Sequence, residues 1–188
     1  MPLDAKDARK RSKLLSLVLR HQPETLGLQL DPEGYVDVDT LLRALSGAGL
    51  PTSRDELEAI VATSDKQRFA FHEDRTRLRA SQGHSLPVDL GLAPQVPPET
   101  LFHGTAHHRV EAILASGLRP GSRQHVHLSA DVETARRVGA RHGAPSVLVV
   151  NAAEMAASGL HFFRSANGVW LTLFVPAVYL RAATSSPP

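Results

Sequence analysis

The apolar positions of this chain change period as they run. Leu14, Leu15, Val18 and Leu19 form a helical stripe and predict a helix from about Asp7 to Arg20. Pro23 blocks its continuation. Residues 34–38 read as a short extended piece, and Leu41, Leu42 and Leu45 mark a second helix closing near Gly47 and Gly49. Ser53 followed by Glu56 is a capping-box signature ahead of Leu57, Ile60 and Val61, which share one helical face. The period then drops to two. Residues 68–72 and 75–79 alternate on either side of Glu73-Asp74, as a β-hairpin does. Three helices and a hairpin describe a winged-helix module, with Arg75, Arg77 and Arg79 expected on one face of the second strand.

Pro87, Gly91, Pro94, Pro97 and Pro98 interrupt any period between about 86 and 99, so a linker is expected there. The second half is richer in strands. Residues 100–103, 125–129 and 146–150 read as strands. A helix from His107 to Ser116 should end at Gly117, and another, capped by Ser129 or Asp131, should run to about Ala140. Asn167-Gly168 is a hairpin-turn dipeptide between residues 161–163 and 169–175. The expectation is an α+β protein with two lobes and no internal repeat.

Composition narrows the classes. The chain has 188 residues, 42% of them hydrophobic, enough for a core built mainly of Leu, Val and Ala. It has no Cys, which excludes disulfides and thiolate metal sites and fits a cytoplasmic location. No run approaches the roughly 20 apolar residues of a membrane span, and the N-terminus lacks the apolar segment of a secretory signal. Net charge is only +2, but it is clustered: Lys6, Arg9, Lys10, Arg11 and Lys13 crowd the start of the chain. Clustered cations suit a polyanionic partner.

The candidate chemistry is cationic. Arg20-His21 falls where the first helix ends, which reads either as a C-terminal helix cap or as an anion grip. Lys66 and Arg68 precede the hairpin and read as a solvated turn or as phosphate ligands. His103-Gly104-Thr105 closes a strand, where glycine permits close approach of a ligand to the backbone. His125 and His127 stand on one strand face; a metal would need further ligands, for which His103 and Asp131 are available without any zinc-type spacing. Neither a GxGxxG fingerprint nor a P-loop is present.

Several segments, in order and over nearly the whole chain from Lys13 to Leu180, resemble the RNA 2′-phosphotransferase family. They include Leu19-Arg20-His21, residues 65–69, Arg77-Leu78-Arg79-Ala80 leading into Gln82-Gly83-His84-Ser85, residues 101–105, Arg123 with residues 125–129, Arg141, and residues 167–172. The resemblance implies a winged-helix RNA-binding lobe over 1–85, a linker over 86–99, an ADP-ribosyltransferase-like NAD-binding lobe over 100–182 and a disordered tail over 183–188. It implies that NAD⁺ is a co-substrate and that no metal takes part. It also implies removal of an internal 2′-phosphate from RNA, as in tRNA splicing, through an ADP-ribosylated RNA intermediate. Nicotinamide, 2′-OH RNA and ADP-ribose 1″,2″-cyclic phosphate would be released.

By the same resemblance, Arg20, His21, Arg68 and Arg123 match the family's Arg-His-Arg-Arg catalytic set. His103, Gly104, Thr105, His127, Ser129, Asp131 and Arg141 are expected to contact the cofactor, and Lys66, Arg77 and Arg79 the RNA phosphates. Val169 stands where many transferases of that fold carry a Glu. A monomer is expected. Two alternatives stay open: ADP-ribosylation of a nucleic-acid terminal phosphate, and a non-enzymatic winged-helix nucleic-acid binder.

Overall fold

The structure is a computed structural model that describes residues 4–64 and 67–183. The chain divides into two compact units, one ending at Gly91 and the other beginning at Leu92. Lys66 and the end of the expected tail, residues 184–188, lie outside the described residues.

The first unit runs α1 (Ala5–Val18), β1 (Tyr35–Asp37), α2 (Val38–Gly47), α3 (Arg54–Ala62), β2 (Phe69–Phe71) and β3 (Arg77–Ala80). Each helix starts on a side-chain cap. Asp4, Asp37 and Ser53 accept from backbone N–H groups of the first turn, and Ser53 with Glu56 completes the capping box. The strands form one antiparallel sheet in the order β1-β3-β2, with Leu78 opposite both Val36 and Phe71. Leu15, Val18, Leu41, Leu45, Leu57 and Leu78, all fully buried, meet in the core between helices and sheet. Burying each such side chain contributes about 1.5–3 kcal/mol.

One of the five N-terminal cations belongs to this packing. Arg11 is buried and donates from Nε to the Thr52 hydroxyl (3.0 Å) and from Nη2 to the Pro51 carbonyl (3.0 Å), fastening α1 to the segment that leads into α3.

The second unit runs β4 (Thr100–Ala106), α4 (Val110–Ser116), β5 (Val126–Leu128), α5 (Val132–Gly139), β6 (Pro145–Asn151), α6 (Ala152–Ala157), β7 (Phe163–Arg164), β8 (Trp170–Thr172) and β9 (Leu180–Ala182). Its strands make two antiparallel sheets, β4-β6-β9 and β5-β8-β7. A bridge joins them: the N–H groups of Phe102 and Ser129 each donate to the other's carbonyl, at 2.9 and 2.8 Å. Leu101, Val126, Leu128, Val150, Met155 and Phe162 fill the core, with Trp170 against them. The Asn167-Gly168 turn closes β7 onto β8, with Gly168 at φ +79°. The fold is mixed α+β, and all its strand pairs are antiparallel.

Candidate active site

In the first unit the end of α1 is built into a site. Leu19 caps the helix, and the next turn holds the His21 backbone N–H 2.9 Å from the Leu17 carbonyl. The segment Gln82-Gly83-His84-Ser85 closes over that turn. The Ser85 backbone N–H donates to the Arg20 carbonyl (3.0 Å), and the Ser85 hydroxyl lies 2.9 Å from His21 Nδ1. Gly83 lies against the Arg20 side chain; a Cβ there would be 3.8 Å from it. Arg20 Nη2 reaches the Arg68 carbonyl at 3.4 Å, and the same carbonyl accepts from Ser81 N–H at 2.9 Å. Arg20, His21 and the backbone of Arg68 are therefore drawn into one cluster. The helix-cap reading of Arg20-His21 is too small for this, because the dipeptide is held by residues more than 60 positions away.

Arg77 and Arg79 sit on β3 with their guanidinium carbons 5.0 and 4.5 Å from the centre of the Tyr35 ring. Arg77 is paired with Asp31 at 2.8 Å, and Arg79 donates to the Glu33 carbonyl at 3.2 Å. Arg75 does not join them. It lies in the turn ahead of the strand at φ +58°, pairs with Glu58 at 2.9 Å and covers the Phe71 ring. The expected three-arginine face is a two-arginine face because the strand begins only at Arg77.

In the second unit His103, on β4, places Nδ1 3.0 Å from the His127 carbonyl on β5. A carbonyl only accepts, so His103 carries its proton on Nδ1 and leaves Nε2 as an acceptor when neutral. Burial, and then the charge of His142, lower the His103 pKa, against the opposing effect of the His127 carbonyl, so it is neutral at pH 7. Arg123 Nη1 lies 3.4 Å from His127 Nδ1. The Arg123 pKa is lowered by loss of water around it and then by the charge of Arg141. It stays protonated all the same, as arginine does in proteins. Among the described residues neither Arg123 nor Arg141 forms an ion pair with a carboxylate.

Gly104 is pressed against a neighbouring helix. A Cβ on it would meet the Ala135 carbonyl oxygen at 1.7 Å and Gly139 N at 2.8 Å. The backbone it lets approach is that of α5. Asp131 is the N-cap of that helix: Oδ1 accepts from Thr134 N–H at 2.7 Å, which with the Thr134 side chain holds its carboxyl below the usual range. Thr105 is buried, and Ser129 makes the bridge to Phe102. His125 packs edge-on against Phe163. Among the described residues no three His, Asp or Glu side chains converge as a metal site requires.

Residues 6–173 match the family described as RNA 2′-phosphotransferase, Tpt1 / KptA family. Three relatives bear the name "Probable RNA 2′-phosphotransferase". One from Hahella chejuensis is 52% identical over 97% of this chain and 98% of its own length. One from Agrobacterium fabrum is 54% identical over 93% and 94%, and one from Streptomyces coelicolor is 56% identical over 92% and 93%. The chain belongs to the RNA 2′-phosphotransferase family. It is accordingly a transferase.

In this 2′-phosphotransferase the site residues named from sequence fall into two groups, one in each unit. Arg20, His21 and Arg68 cluster in the first; Arg123, His127, His103 and Arg141 are linked by contact or charge in the second. The role of residues 82–85 could not be read from the chain, since the contact that defines it is between Ser85 and His21. Two elements were also missed: α6 and β9. A signal for α6 was present, because Asn151 followed by Glu154 is a cap-and-acid pattern, and Asn151 does accept from Glu154 N–H. Among the described residues no helix is long and apolar enough to cross a membrane.

The two lowered histidines make the second unit acid-sensitive. His103 and His125 titrate below their ordinary value of 6.5 in the folded state, so the unfolded chain binds more protons as pH falls past that value. Stability should hold above about pH 6.5 and decline below it, by at most about 1.4 kcal/mol per pH unit for each histidine. Urea unfolding followed by Trp170, the single tryptophan and a core residue of this unit, reads the effect. His103→Asn keeps a donor for the His127 carbonyl but cannot titrate, and should flatten the slope. An unchanged slope would show that His103 is not the group responsible.

Proposed function

We propose that this chain removes an internal 2′-phosphate from RNA with NAD⁺ as co-substrate, through a winged-helix unit that holds the RNA phosphate and an ADP-ribosyltransferase-like unit that holds NAD⁺. The observation that carries the reading is the uncompensated charge of the second unit. Loss of water and then the charge of Arg141 lower the pKa of Arg123, neither arginine has a carboxylate partner among the described residues, and Arg123 lies against His127, whose carbonyl holds the neutral His103. Like charges held together without counter-ions suit an anionic ligand, and a dinucleotide's diphosphate has that chemistry. His103 Nε2, as an acceptor, suits a ribose hydroxyl.

NAD⁺ supplies an electrophilic ribose carbon, C1″, with nicotinamide as its leaving group. In the first step an oxygen of the RNA 2′-phosphate bonds to C1″ as the bond to nicotinamide breaks. In the second, ribose O2″ attacks phosphorus, the bond from phosphorus to the RNA 2′-oxygen breaks, and that oxygen takes up a proton. Arg20, His21 and Arg68 hold the 2′-phosphate and offset its charge. Arg123 stabilises the charge that builds on the migrating phosphate. The absence of a carboxylate at Val169 is consistent with this, since a phosphate is already an anionic nucleophile. Arg77 and Arg79 contact RNA phosphates at most secondarily, because Arg77 is occupied by Asp31.

The test is an RNA oligonucleotide labelled and carrying one internal 2′-phosphate, incubated with the protein with and without NAD⁺. Loss of the phosphate only with NAD⁺, together with ADP-ribose 1″,2″-cyclic phosphate, is the expected result. RNA that retains ADP-ribose at a terminal phosphate would favour the terminal-phosphate reaction instead, and RNA bound but unchanged would overturn the enzymatic reading.

A further inference from the structure

The first unit contains a second cationic feature, which shares only Arg68 with the proposed reaction. A groove of about 620 Å³ runs between α1 and the end of α3. Arg9, Ser12, Lys13 and Ser16 line it from α1 at spacing i, i+3, i+4, i+7, one continuous helical face. Ser64 and Arg68 line it from the segment after α3, and among the described residues none of its lining is acidic. Its floor includes Ile60, a core residue, so the groove has a fixed base.

The charge in this groove works against the helix that carries it. Arg9 and Lys13 are like charges one turn apart, an arrangement that destabilises a helix. Both are exposed, and among the described residues neither forms an ion pair. Arg11, between them, is turned into the core. The helix thus separates one structural cation from two that are left to solvent on the groove face. Four residues of helix rise about 6 Å, of the order of the separation between neighbouring phosphates of a nucleic-acid strand. Hydroxyls alternate with the cations along the same face, and both groups bind phosphate and ribose oxygens. The groove is continuous with Arg68, which also lines it.

The geometry points to this groove as the seat of the RNA strand flanking the 2′-phosphorylated nucleotide, with Arg9 and Lys13 each neutralising one backbone phosphate. The inference rests on the proposed reaction for the placement of the 2′-phosphate at Arg68. The strand is read by charge and not by base, so the flanking sequence matters little while the flanking length matters.

Binding of two RNAs, each with one internal 2′-phosphate, tests this: a dinucleotide and a strand of about ten nucleotides, both titrated against salt. Each phosphate neutralised on a single strand adds about −0.7 to the slope of log K against log salt. For the longer RNA, Arg9→Gln/Lys13→Gln should make that slope shallower by about 1.4, so from about 50 to about 200 mM salt the wild-type affinity falls about sevenfold further than that of the variant. The preference for long over short RNA should shrink with it. Ser16→Asp, which sets a carboxylate in the groove, should weaken the longer RNA more than the dinucleotide. Parallel salt slopes for wild type and double variant would overturn the inference, as would equal losses for both RNA lengths. The binding comparison stands whether or not phosphate is removed. If the wild-type protein binds both RNAs but leaves the 2′-phosphate in place with NAD⁺, the proposed reaction fails while the groove is still decided by the slopes.

Discussion

Gly104→Ala is expected to unfold the second unit. The added methyl would lie 1.7 Å from the Ala135 carbonyl oxygen and 2.8 Å from Gly139 N. These are backbone atoms of α5, which cannot rotate away as a side-chain tip could. Relief would require α5 to lift off β4, exposing the core behind it. The cost should exceed about 3 kcal/mol, in the range reserved for overpacking against fixed atoms. The measurement is the cooperative unfolding transition of Trp170 fluorescence, lost or moved far down in the variant, with the far-ultraviolet signal of the first unit retained. A variant that keeps the Trp170 transition and only binds NAD⁺ more weakly would show that the approach of α5 is not what requires a glycine at 104. The reciprocal position behaves alike: a Cβ on Gly139 would meet Thr105 N and O at 2.9 Å.

Arg123→Ala should have the opposite profile, with a large loss of turnover and little change in stability. The residue is exposed, and among the described residues no carboxylate leans on it, so its removal leaves no buried charge unpaired. Removing one donor from a developing anionic centre costs about 10²- to 10³-fold in rate. If Arg123 acts on the migrating phosphate, the loss falls on the second step, and RNA still joined to ADP-ribose should accumulate in single-turnover reactions followed by gel. Arg123→Lys should recover only a small part of the rate, since a single ammonium lacks the planar fork that matches a phosphate. A variant that releases dephosphorylated RNA at the wild-type rate would remove Arg123 from the reaction.

How much of this was legible in the chain follows from the reach of each signal. The caps at Ser53 and Asp131, the hairpin at Glu73-Asp74 and the turn at Asn167-Gly168 are local, and each is where the pattern places it. The short strand β9 escaped because it is defined by pairing with the distant β6, and its own three residues carry no alternation. Gly104, a glycine at a strand end, announces a close approach without saying to what. The partner is a helix that begins 28 residues later. The candidate catalytic cations were named through resemblance, and residue types alone left Arg20-His21 divided between a helix cap and an anion grip. The lowered pKa of Arg123 comes from loss of water and then from the charge of Arg141, relations that only folding creates.

The contact between His21 and Ser85 spans 64 positions of sequence. Closing a loop of that length costs on the order of 4 kcal/mol of chain entropy, so the contact cannot persist until the core between its ends has formed. During synthesis, when the N-terminal residues emerge first, α1 is made long before residue 85 leaves the ribosome. A nascent or truncated chain ending short of that residue would already carry Arg20, His21 and Arg68. It would still lack the group against which the imidazole of His21 is aligned. The cations are therefore present early in the life of this chain, and the alignment of His21 arises only when the first unit is complete.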